Sequence, residues 1–217
     1  MDQIFNLDNK FFRSISKIID CVWLSLLWFM CCIPVFTVGA ATTALYYTVN
    51  KSIKNDRGYA SSEYFSAFKS NFKQSTVIWL VFLAIYALLG FDYFAMKSYA
   101  DAGVEIGKMY IAFFVFGVIV TMWGFYVFPY IARFENTTKN VLKNTLFIAI
   151  SNIHWTIIMT VLFIAMWVGI YLFPPVAIVM PVLYQLLKNI AIEHVFKKYM
   201  SPEDLALEEE RNRNFYN

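Results

Sequence analysis

The sequence predicts an all-α, polytopic transmembrane helical bundle with about six membrane segments, alternatively five, and with amphipathic helices on its inner surface. Three observations carry this prediction: the composition is apolar, charges are confined to short connectors, and basic residues are shared unequally between those connectors. Hydrophobic residues make up 59% and charged residues 15% of the 217 residues, whereas a soluble domain carries about 25% charged residues. A single integral membrane domain, residues 1–217, accounts for the chain.

Four stretches carry no formal charge: residues 21–50, 74–91, 109–132 and 144–187. A crossing helix needs about 20 apolar residues, so the second and third stretches fit one crossing each. The fourth is long enough for two crossings. Adjacent Pro174 and Pro175 supply the break, because proline lacks an amide donor and clashes with the preceding turn. We predict spans near residues 155–173 and 176–185.

The first uncharged stretch is long for one crossing and short for two, and Pro34 and Gly39 interrupt it midway. In one interpretation a helix crosses to about Ile33, turns over residues 34–39, and returns through residues 40–50 as a short or re-entrant segment. In the other, a single span is followed by a helix that lies in the membrane. Both interpretations fit the sequence.

The distribution of lysine and arginine predicts the orientation, because basic residues near span ends are retained in the cytoplasm. Six crossings with both termini inside place 16 of the 18 basic residues in the cytoplasm and only Lys97 and Lys108 outside. Five crossings with the N-terminus outside place 13 inside and 5 outside. The sequence therefore favours six crossings, both termini cytoplasmic, and residues 201–217 as a charged cytoplasmic tail.

Two patterns occur where inner connectors meet the membrane. Between residues 61 and 74, aromatic residues recur at helical spacing, which predicts an amphipathic helix on the inner leaflet or, alternatively, a helix that docks a partner. A weak self-similarity links residues 70–75, SNFKQS, to residues 151–156, SNIHWT. It fits a duplicated unit of a surface helix and two spans, and it also fits the shared demands of an interface.

Sequence motifs for catalysis or metal binding are missing. The chain has no glycine-rich phosphate loop, no HExxH and no GxSxG. His154 and His194 lie far apart in the sequence without the acidic or cysteine neighbours of a metal site. The cysteines lie in the first apolar stretch, where we expect small buried hydrophobes. We therefore expect no enzyme activity, no catalytic residue, no metal and no cofactor.

Ionisable groups in or near the spans are functional candidates by default. We expect structural roles for them here: Asp20 lies one turn from Lys17 and can pair with it, and Lys188 can snorkel from the end of the last span. A proton or ion relay needs several such groups near the bilayer midplane. The sequence supplies no such set.

Three groups of residues carry a resemblance to a known family. They are Trp28, Pro34, Val35, Thr37, Gly39, Thr42, Thr43, Ala44 and Leu45; then Phe65, Phe68, Lys69, Asn71, Phe72, Lys73, Gln74 and Ser75; and finally Arg133, Phe134 and Glu135. Together they resemble the motifs of the YesL-like family of bacterial integral membrane proteins, a domain of unknown function. Ala40 departs from the pattern, which commonly has proline after the glycine.

The resemblance implies a bacterial inner-membrane protein found beside carbohydrate-uptake systems, especially importers powered by ATP hydrolysis (ABC importers). The chain lacks a permease coupling motif of the EAA type and a nucleotide-binding loop. It therefore resembles an accessory or assembly subunit that binds the importer's transmembrane subunits and no nucleic acid. The alternatives are a stand-alone small-solute transporter or channel, and an unrecognised membrane enzyme.

The candidates for family-motif or partner-contact residues follow from the same resemblance. Among them, we expect Arg133 and Glu135 to order the inner connector. The full set is Pro34, Thr37, Gly39, Thr42, Thr43, Phe68, Asn71, Phe72, Arg133 and Glu135.

Overall fold

A computed structural model describes residues 10–203, 205–207 and 210. In that part of the chain every regular element is helical, so the predicted all-α class is confirmed. Much of the predicted tail, residues 201–217, lies outside the described residues. The α-helices are α1 (Lys10–Cys32), α2 (Val38–Thr48), α3 (Ala60–Asp101), α4 (Tyr110–Arg133), α5 (Thr138–Ser151), α6 (Ile153–Leu172) and α7 (Met180–Lys197).

Three helical segments are long and apolar enough to cross a membrane: Ala60–Asp101, Glu105–Arg133 and Ile153–Leu172. Only 11%, 22% and 11% of their most apolar windows, respectively, are buried inside the protein. Helices that show so much apolar surface outward are typical of proteins surrounded by lipid. The predicted count of about six segments is not confirmed, because residues 21–50 and 176–185 contribute no such helix.

Residues 21–50 form a helical hairpin instead of one continuous helix. α1 ends just before Pro34, and a short 3-10 turn leads into α2. The Thr37 hydroxyl closes this turn by donating a hydrogen bond of 2.5 Å to the carbonyl of Cys31. The arrangement agrees with the interpretation in which the chain turns near Pro34 and returns.

α2 packs closely along the middle of α3 because its facing residues are small. A Cβ atom at Gly39 would lie 2.6 Å from both the Ser75 carbonyl oxygen and the Trp79 Cβ. One turn further on, the Thr43 and Ser75 hydroxyls hydrogen-bond at 2.9 Å. The Trp79 indole nitrogen donates to the carbonyl of Val35 at 2.7 Å. The tip of the α1–α2 hairpin therefore lies level with Trp79, near the middle of α3.

α3 and α4 run antiparallel and bring the second and third uncharged stretches together. Phe82 and Trp123 lie with ring centroids 5.0 Å apart, and Tyr93 and Tyr110 lie 5.8 Å apart. These contacts are separated by about eleven residues of α3, roughly 16 Å of helix. The α3–α4 pair thus continues well beyond the tip of the α1–α2 hairpin.

The predicted inner-surface helix over residues 61–74 is the beginning of α3, continuous with the apolar segment that follows. Its apolar face packs inward, since Tyr64 is fully buried and stacks on Phe68 at 6.4 Å. Phe65 is 43% exposed. The amphipathic pattern was correctly identified, but it belongs to one long helix and does not form a separate element.

The second half of the chain contains α5, α6 and α7, and α7 returns to the end of the bundle at which α4 ends. The predicted break at the paired prolines is confirmed, because a short 3-10 segment, Pro174–Ile178, separates α6 from α7. α7 does not stop near residue 185 but continues to Lys197. Its end meets α4, where Tyr130 and Phe196 pack edge to face at 5.9 Å.

The self-similar segments have related surroundings. The amides of Asn71 and Asn152 each donate to the carbonyl four residues earlier, both at 3.0 Å. Ser75 and Thr156 are both buried, and they hydrogen-bond to the hydroxyls of Thr43 on α2 and Tyr126 on α4, at 2.9 and 3.0 Å. The segments differ in that α3 is continuous whereas α5 and α6 are separated at Asn152. A duplicated unit and the shared demands of an interface both remain interpretations of this self-similarity.

Ion pairs gather at one end of the bundle, which we call the basic end. Lys17 pairs with Asp56 and Lys51 pairs with Glu63, both at 2.7 Å. α1 begins at this end, and α7 ends beside it through contacts described below. The two ends of the described chain therefore lie on the same side of the bundle.

Candidate functional site

A cavity of about 450 Å³ opens at the basic end between α2, the beginning of α3, and the connector from α4 to α5. Most of its lining residues are polar, and several belong to the motifs quoted above. The lining comprises Tyr47, Ser66, Ala67, Ser70, Asn71, Gln74, Ile131, Ala132, Arg133, Phe134, Glu135 and Asn136.

One wall of the cavity is a face of α3. Ser66, Ser70 and Gln74 follow one another at intervals of four residues, so a straight helix places them in a row. Asn71 lies beside them and donates to the Ser70 hydroxyl at 3.1 Å. The Gln74 amide donates to the carbonyl of Asn136 at 2.7 Å, which joins this wall to the connector.

The opposite wall is the connector itself. The Tyr130 hydroxyl accepts hydrogen bonds from the amides of Asn136 and Asn144 at 3.1 and 3.0 Å. These two bonds hold the end of α4 against the connector and the beginning of α5. Glu135 is exposed at the rim and forms no ion pair with another described residue. Its carboxylate is therefore available to a bound group.

A buried ion pair adjoins the cavity through Arg133. The Arg133 guanidinium lies 3.1 Å from a Glu193 carboxylate oxygen, and the two side chains are only 15% and 7% exposed. The other Glu193 oxygen accepts hydrogen bonds from the Tyr46 hydroxyl at 2.5 Å and the Asn50 amide at 3.2 Å. A buried carboxylate needs such partners because its desolvation is costly. Glu193 thus joins α7 to α4 and to the end of α2.

Arg133 takes part in both features, because it lines the cavity and also pairs with Glu193. Its guanidinium also donates to the Met200 sulfur at 3.5 Å. A group that binds in the cavity therefore contacts the residue that holds α4 against α7. The arrangement suits recognition of a polar or acidic segment.

Lys51 forms a second polar link next to the cavity. Its ammonium donates to the Glu63 carboxylate at 2.7 Å and to the Tyr47 hydroxyl at 3.2 Å. Burial alone would lower the pKa of Lys51, but the hydrogen bonds and charges of Glu63 and Tyr47 outweigh it, so the pKa is raised. Lys51 therefore stays charged and ties the end of α2 to the beginning of α3.

The structure brings three of the candidate motif residues together at the cavity: Asn71, Arg133 and Glu135. Phe68 and Phe72 lie on neighbouring turns with ring centroids 5.4 Å apart but are not among the cavity-lining residues. That Arg133 and Glu135 order the connector stays a prediction. Arg133 pairs with Glu193, and hydrogen bonds to Tyr130 hold the connector.

The remaining candidates lie in the α1–α2 hairpin, away from the cavity, and their contacts are structural. Pro34 and Thr37 form the turn, and Gly39 permits the close approach to α3. Thr42 accepts a hydrogen bond of 3.4 Å from the Trp28 indole. The fifth, Thr43, is buried against Ser75.

Sequence reasoning missed the polar partners that α2 and α7 supply. Tyr46, Asn50 and Glu193 stand in apolar or mixed surroundings, and only the fold shows that they meet. The prediction that Lys188 snorkels is also wrong. Lys188 is 3% exposed, and its ammonium lies 5.6 Å from the centroid of the Phe125 ring. A lysine midway along a helix with apolar neighbours was the signal available in the sequence.

Metal-ligating side chains do not cluster in the part of the chain that the structure describes, where no group of three His, Cys, Asp or Glu residues could hold an ion. His194 packs beside Trp155 with ring centroids 5.2 Å apart, and the ring of His154 lies 5.7 Å from the same indole. Both histidines are exposed. That the chain is not an enzyme stays a prediction.

The fold and the cavity define an all-helical protein with three candidate membrane-crossing helices and a polar recess at its basic end. Residues 21–93 match the model of a family described as "Protein of unknown function, DUF624". YesL-like proteins are members of this family, so the resemblance seen in the sequence is confirmed. The matched segment contains the first two motif groups, and Arg133 to Glu135 follow it. No curated protein and no solved structure matches the chain.

Proposed function

We propose that this chain is an accessory or assembly subunit of a bacterial carbohydrate ABC importer and acts by binding the importer's transmembrane subunits. The observation that carries the proposal is the polar cavity at the basic end. It is built on Asn71, Arg133 and Glu135, and the Glu135 carboxylate has no ion-pair partner among the described residues. The association with carbohydrate importers comes from the family resemblance alone.

Orientation supports a cytoplasmic contact. The basic end carries Lys17, Lys51 and Arg133, whereas Lys97 and Lys108 lie at or beside the opposite connector. By the positive-inside rule we place the basic end, and with it both ends of the described chain, in the cytoplasm of a bacterial inner membrane. The cavity then faces the side on which an importer's transmembrane subunits present their coupling segments.

The depth of the hairpin supports a proposal for the number of crossings. Its tip meets Trp79, about twelve residues or roughly 18 Å short of Phe91 at the end of the uncharged part of α3. We propose that α1 and α2 form a re-entrant hairpin and that α3, α4, α6 and α7 cross. This revises the six crossings favoured by the sequence but keeps both termini cytoplasmic.

The test is copurification from native membranes in mild detergent, with the wild-type chain and two charge-reversal variants. Glu135→Arg changes the cavity rim at a side chain that no described residue pairs with, so folding is expected to be retained. Glu105→Arg is the matched control, because Glu105 is 92% exposed at the opposite end. We expect wild type and Glu105→Arg to bring down permease subunits and Glu135→Arg to lose them.

Two results would overturn the proposal. One is a clean monomer together with unchanged sugar uptake after deletion of the chain. The other is equal recovery of permease subunits with Glu135→Arg and with wild type, which would show that the rim takes no part in binding.

A second candidate is a small-solute transporter, and one observation favours it. Buried ionisable residues within membrane helices mark solute or ion pathways by default, and Lys188 is such a residue on α7. The sequence offers one such group and not a series across the bilayer, so we rank this candidate below subunit binding.

A further inference from the structure

Lys188 lies inside the helical bundle without a counter-charge among the described residues. It is 3% exposed and forms no salt bridge within that part of the chain. The nearest buried carboxylate on its own helix, Glu193, is already used by Arg133, Tyr46 and Asn50.

Aromatic rings hold the Lys188 ammonium in place. It lies 5.6 Å from the centroid of Phe125 and 5.8 Å from that of Tyr184. Phe163 completes the cluster, with its centroid 5.4 Å from Phe125 and 5.8 Å from Tyr184. Ring faces attract an ammonium group through their quadrupole. Ring faces do not replace an anion, however, because they offer no hydrogen-bond acceptor of comparable strength.

Two neighbouring side chains present hydrogen-bond donors that nothing in the described residues accepts. The Tyr184 hydroxyl and the Gln185 amide nitrogen are both buried and without a hydrogen-bond partner there. Tyr184 precedes Lys188 by four residues and Gln185 by three, so all three side chains lie on neighbouring parts of one helix face. Buried polar groups in native proteins are nearly always hydrogen-bonded, so such a set needs an explanation.

From these contacts we infer a buried anion-binding site on α7, formed by Lys188, Tyr184 and Gln185, that takes a carboxylate or phosphate group. All three residues can donate hydrogen bonds, and the ammonium supplies the charge that an oxyanion complements. The Tyr184 ring is only half-buried, so the site lies one side chain beneath the surface of the bundle. The anion can belong to a free solute or to a lipid headgroup, and both present the same oxygens.

The experiment uses the full chain in nanodiscs and measures thermal unfolding, because a ligand of the native state raises the unfolding temperature. In the first arm, inorganic phosphate or acetate is titrated into phosphatidylcholine nanodiscs. In the second, phosphatidylglycerol replaces part of the phosphatidylcholine, and native mass spectrometry counts the retained anionic lipid. Neither readout needs a partner subunit, so the test is independent of the proposed role in an importer.

The variants separate a specific site from general attraction to a basic protein. Lys188→Met keeps the side-chain volume and removes the charge, and it is expected to weaken anion binding about tenfold or more. Tyr184→Phe removes only a hydroxyl and is expected to weaken it by a smaller factor. Lys197→Met is the matched control, since Lys197 is an exposed basic residue on the same helix. It should bind as the wild type does.

Stabilisation in the first arm that Lys188→Met abolishes identifies a free solute, and stabilisation in the second arm alone identifies a lipid headgroup. The inference is overturned if wild type responds in neither arm. It is equally overturned if Lys188→Met responds as strongly as wild type while remaining folded. Should Lys188→Met fail to fold, Gln185→Leu and Tyr184→Phe decide the matter, and unchanged binding in both contradicts the site.

Discussion

Arg133 at the end of α4 and Glu193 near the end of α7 form a buried ion pair of 3.1 Å. Glu193 also accepts hydrogen bonds from Tyr46 and Asn50, so one carboxylate connects three helical segments that are distant in sequence. Neither apolar periodicity nor charge counting indicates such a contact. The pair fixes the relative position of the helices around the cavity.

Removing one member of this pair is expected to destabilise the protein more than removing both. Glu193→Gln removes the carboxylate that lies 3.1 Å from the buried Arg133 guanidinium, at a cost of about 3 to 5 kcal/mol. The double variant Arg133→Met with Glu193→Leu replaces two charges by apolar side chains and should recover much of that loss. Thermal unfolding in nanodiscs measures both effects.

The matched control for this prediction is Lys108→Met, which removes the exposed pair of Lys108 with Glu105. Exposed ion pairs contribute little, so its unfolding temperature should stay at the wild-type value. If Glu193→Gln behaved like this control, the Arg133–Glu193 pair would have no structural importance.

Gly39 is expected not to tolerate substitution by alanine, because it lies in the close contact between α2 and α3. A methyl group there meets the Ser75 carbonyl and the Trp79 Cβ at 2.6 Å, so Gly39→Ala must push the two helices apart. Overpacking of this kind costs about 1 to 3 kcal/mol. A lower unfolding temperature of the purified protein measures it.

Gly117→Ala serves as the comparison for Gly39→Ala, because no atom lies within 4 Å of a Cβ at that position. It should be neutral or slightly stabilising, since alanine has the higher helix propensity. Equal effects of the two substitutions would argue against close α2–α3 packing.

Lys51 is expected to make the folded protein less stable at alkaline pH. Its pKa is raised above the usual value of 10.5 in the folded protein. The stabilisation is therefore fully present below the unfolded-state pKa and is lost as the pH rises through the folded-state pKa, that is, above pH 10.5. The unfolding temperature of the wild type should therefore decrease as the pH rises above 10.5.

Lys51→Met should remove that part of the alkaline decline, and Lys97→Met should retain it, because Lys97 lies near the end of α3 remote from the basic end. The assigned role of the Lys51–Glu63 link would be contradicted if the Lys51→Met and wild-type profiles were identical between about pH 9 and about pH 12.

The sequence predicted the elements whose signal is local. Uncharged stretches gave the paired apolar parts of α3 and α4, and Pro174 with Pro175 gave the break between α6 and α7. The amphipathic pattern at Tyr64 and Phe68 was also correctly identified. One long helix and a separate surface helix followed by a span would show the same periodicity in the sequence. Local pattern therefore could not assign it to α3.

The candidate site could be predicted only in part, because its members come from separate helices. Asn71, Arg133 and Glu135 were named through the family resemblance, and the structure places them around one cavity. Glu193 and Lys188 were not named in this way. A single charged residue in α7 is expected at the surface as long as no partner for it is known. Their burial depends on the packing of α7 against α4, which no local signal encodes.

The last prediction concerns topology and separates a re-entrant hairpin from two full crossings. Single cysteines are introduced at Val35, Val104 and Thr137 after the three native cysteines are replaced, and each is labelled with a membrane-impermeant reagent. Val104 lies in the connector between α3 and α4, and Thr137 precedes α5. With the basic end in the cytoplasm, Val104→Cys should label from outside intact cells, and Thr137→Cys only after the membrane is opened.

Val35→Cys decides the number of crossings. Val35 is 60% exposed on the protein, so the protein itself does not block the reagent. The hairpin tip lies level with Trp79, roughly 18 Å short of the outer end of the uncharged part of α3. A tip at that depth is surrounded by lipid and should stay unlabelled from either side. Efficient labelling of Val35→Cys from outside intact cells would instead restore six crossings, because the tip would then have reached the outer surface.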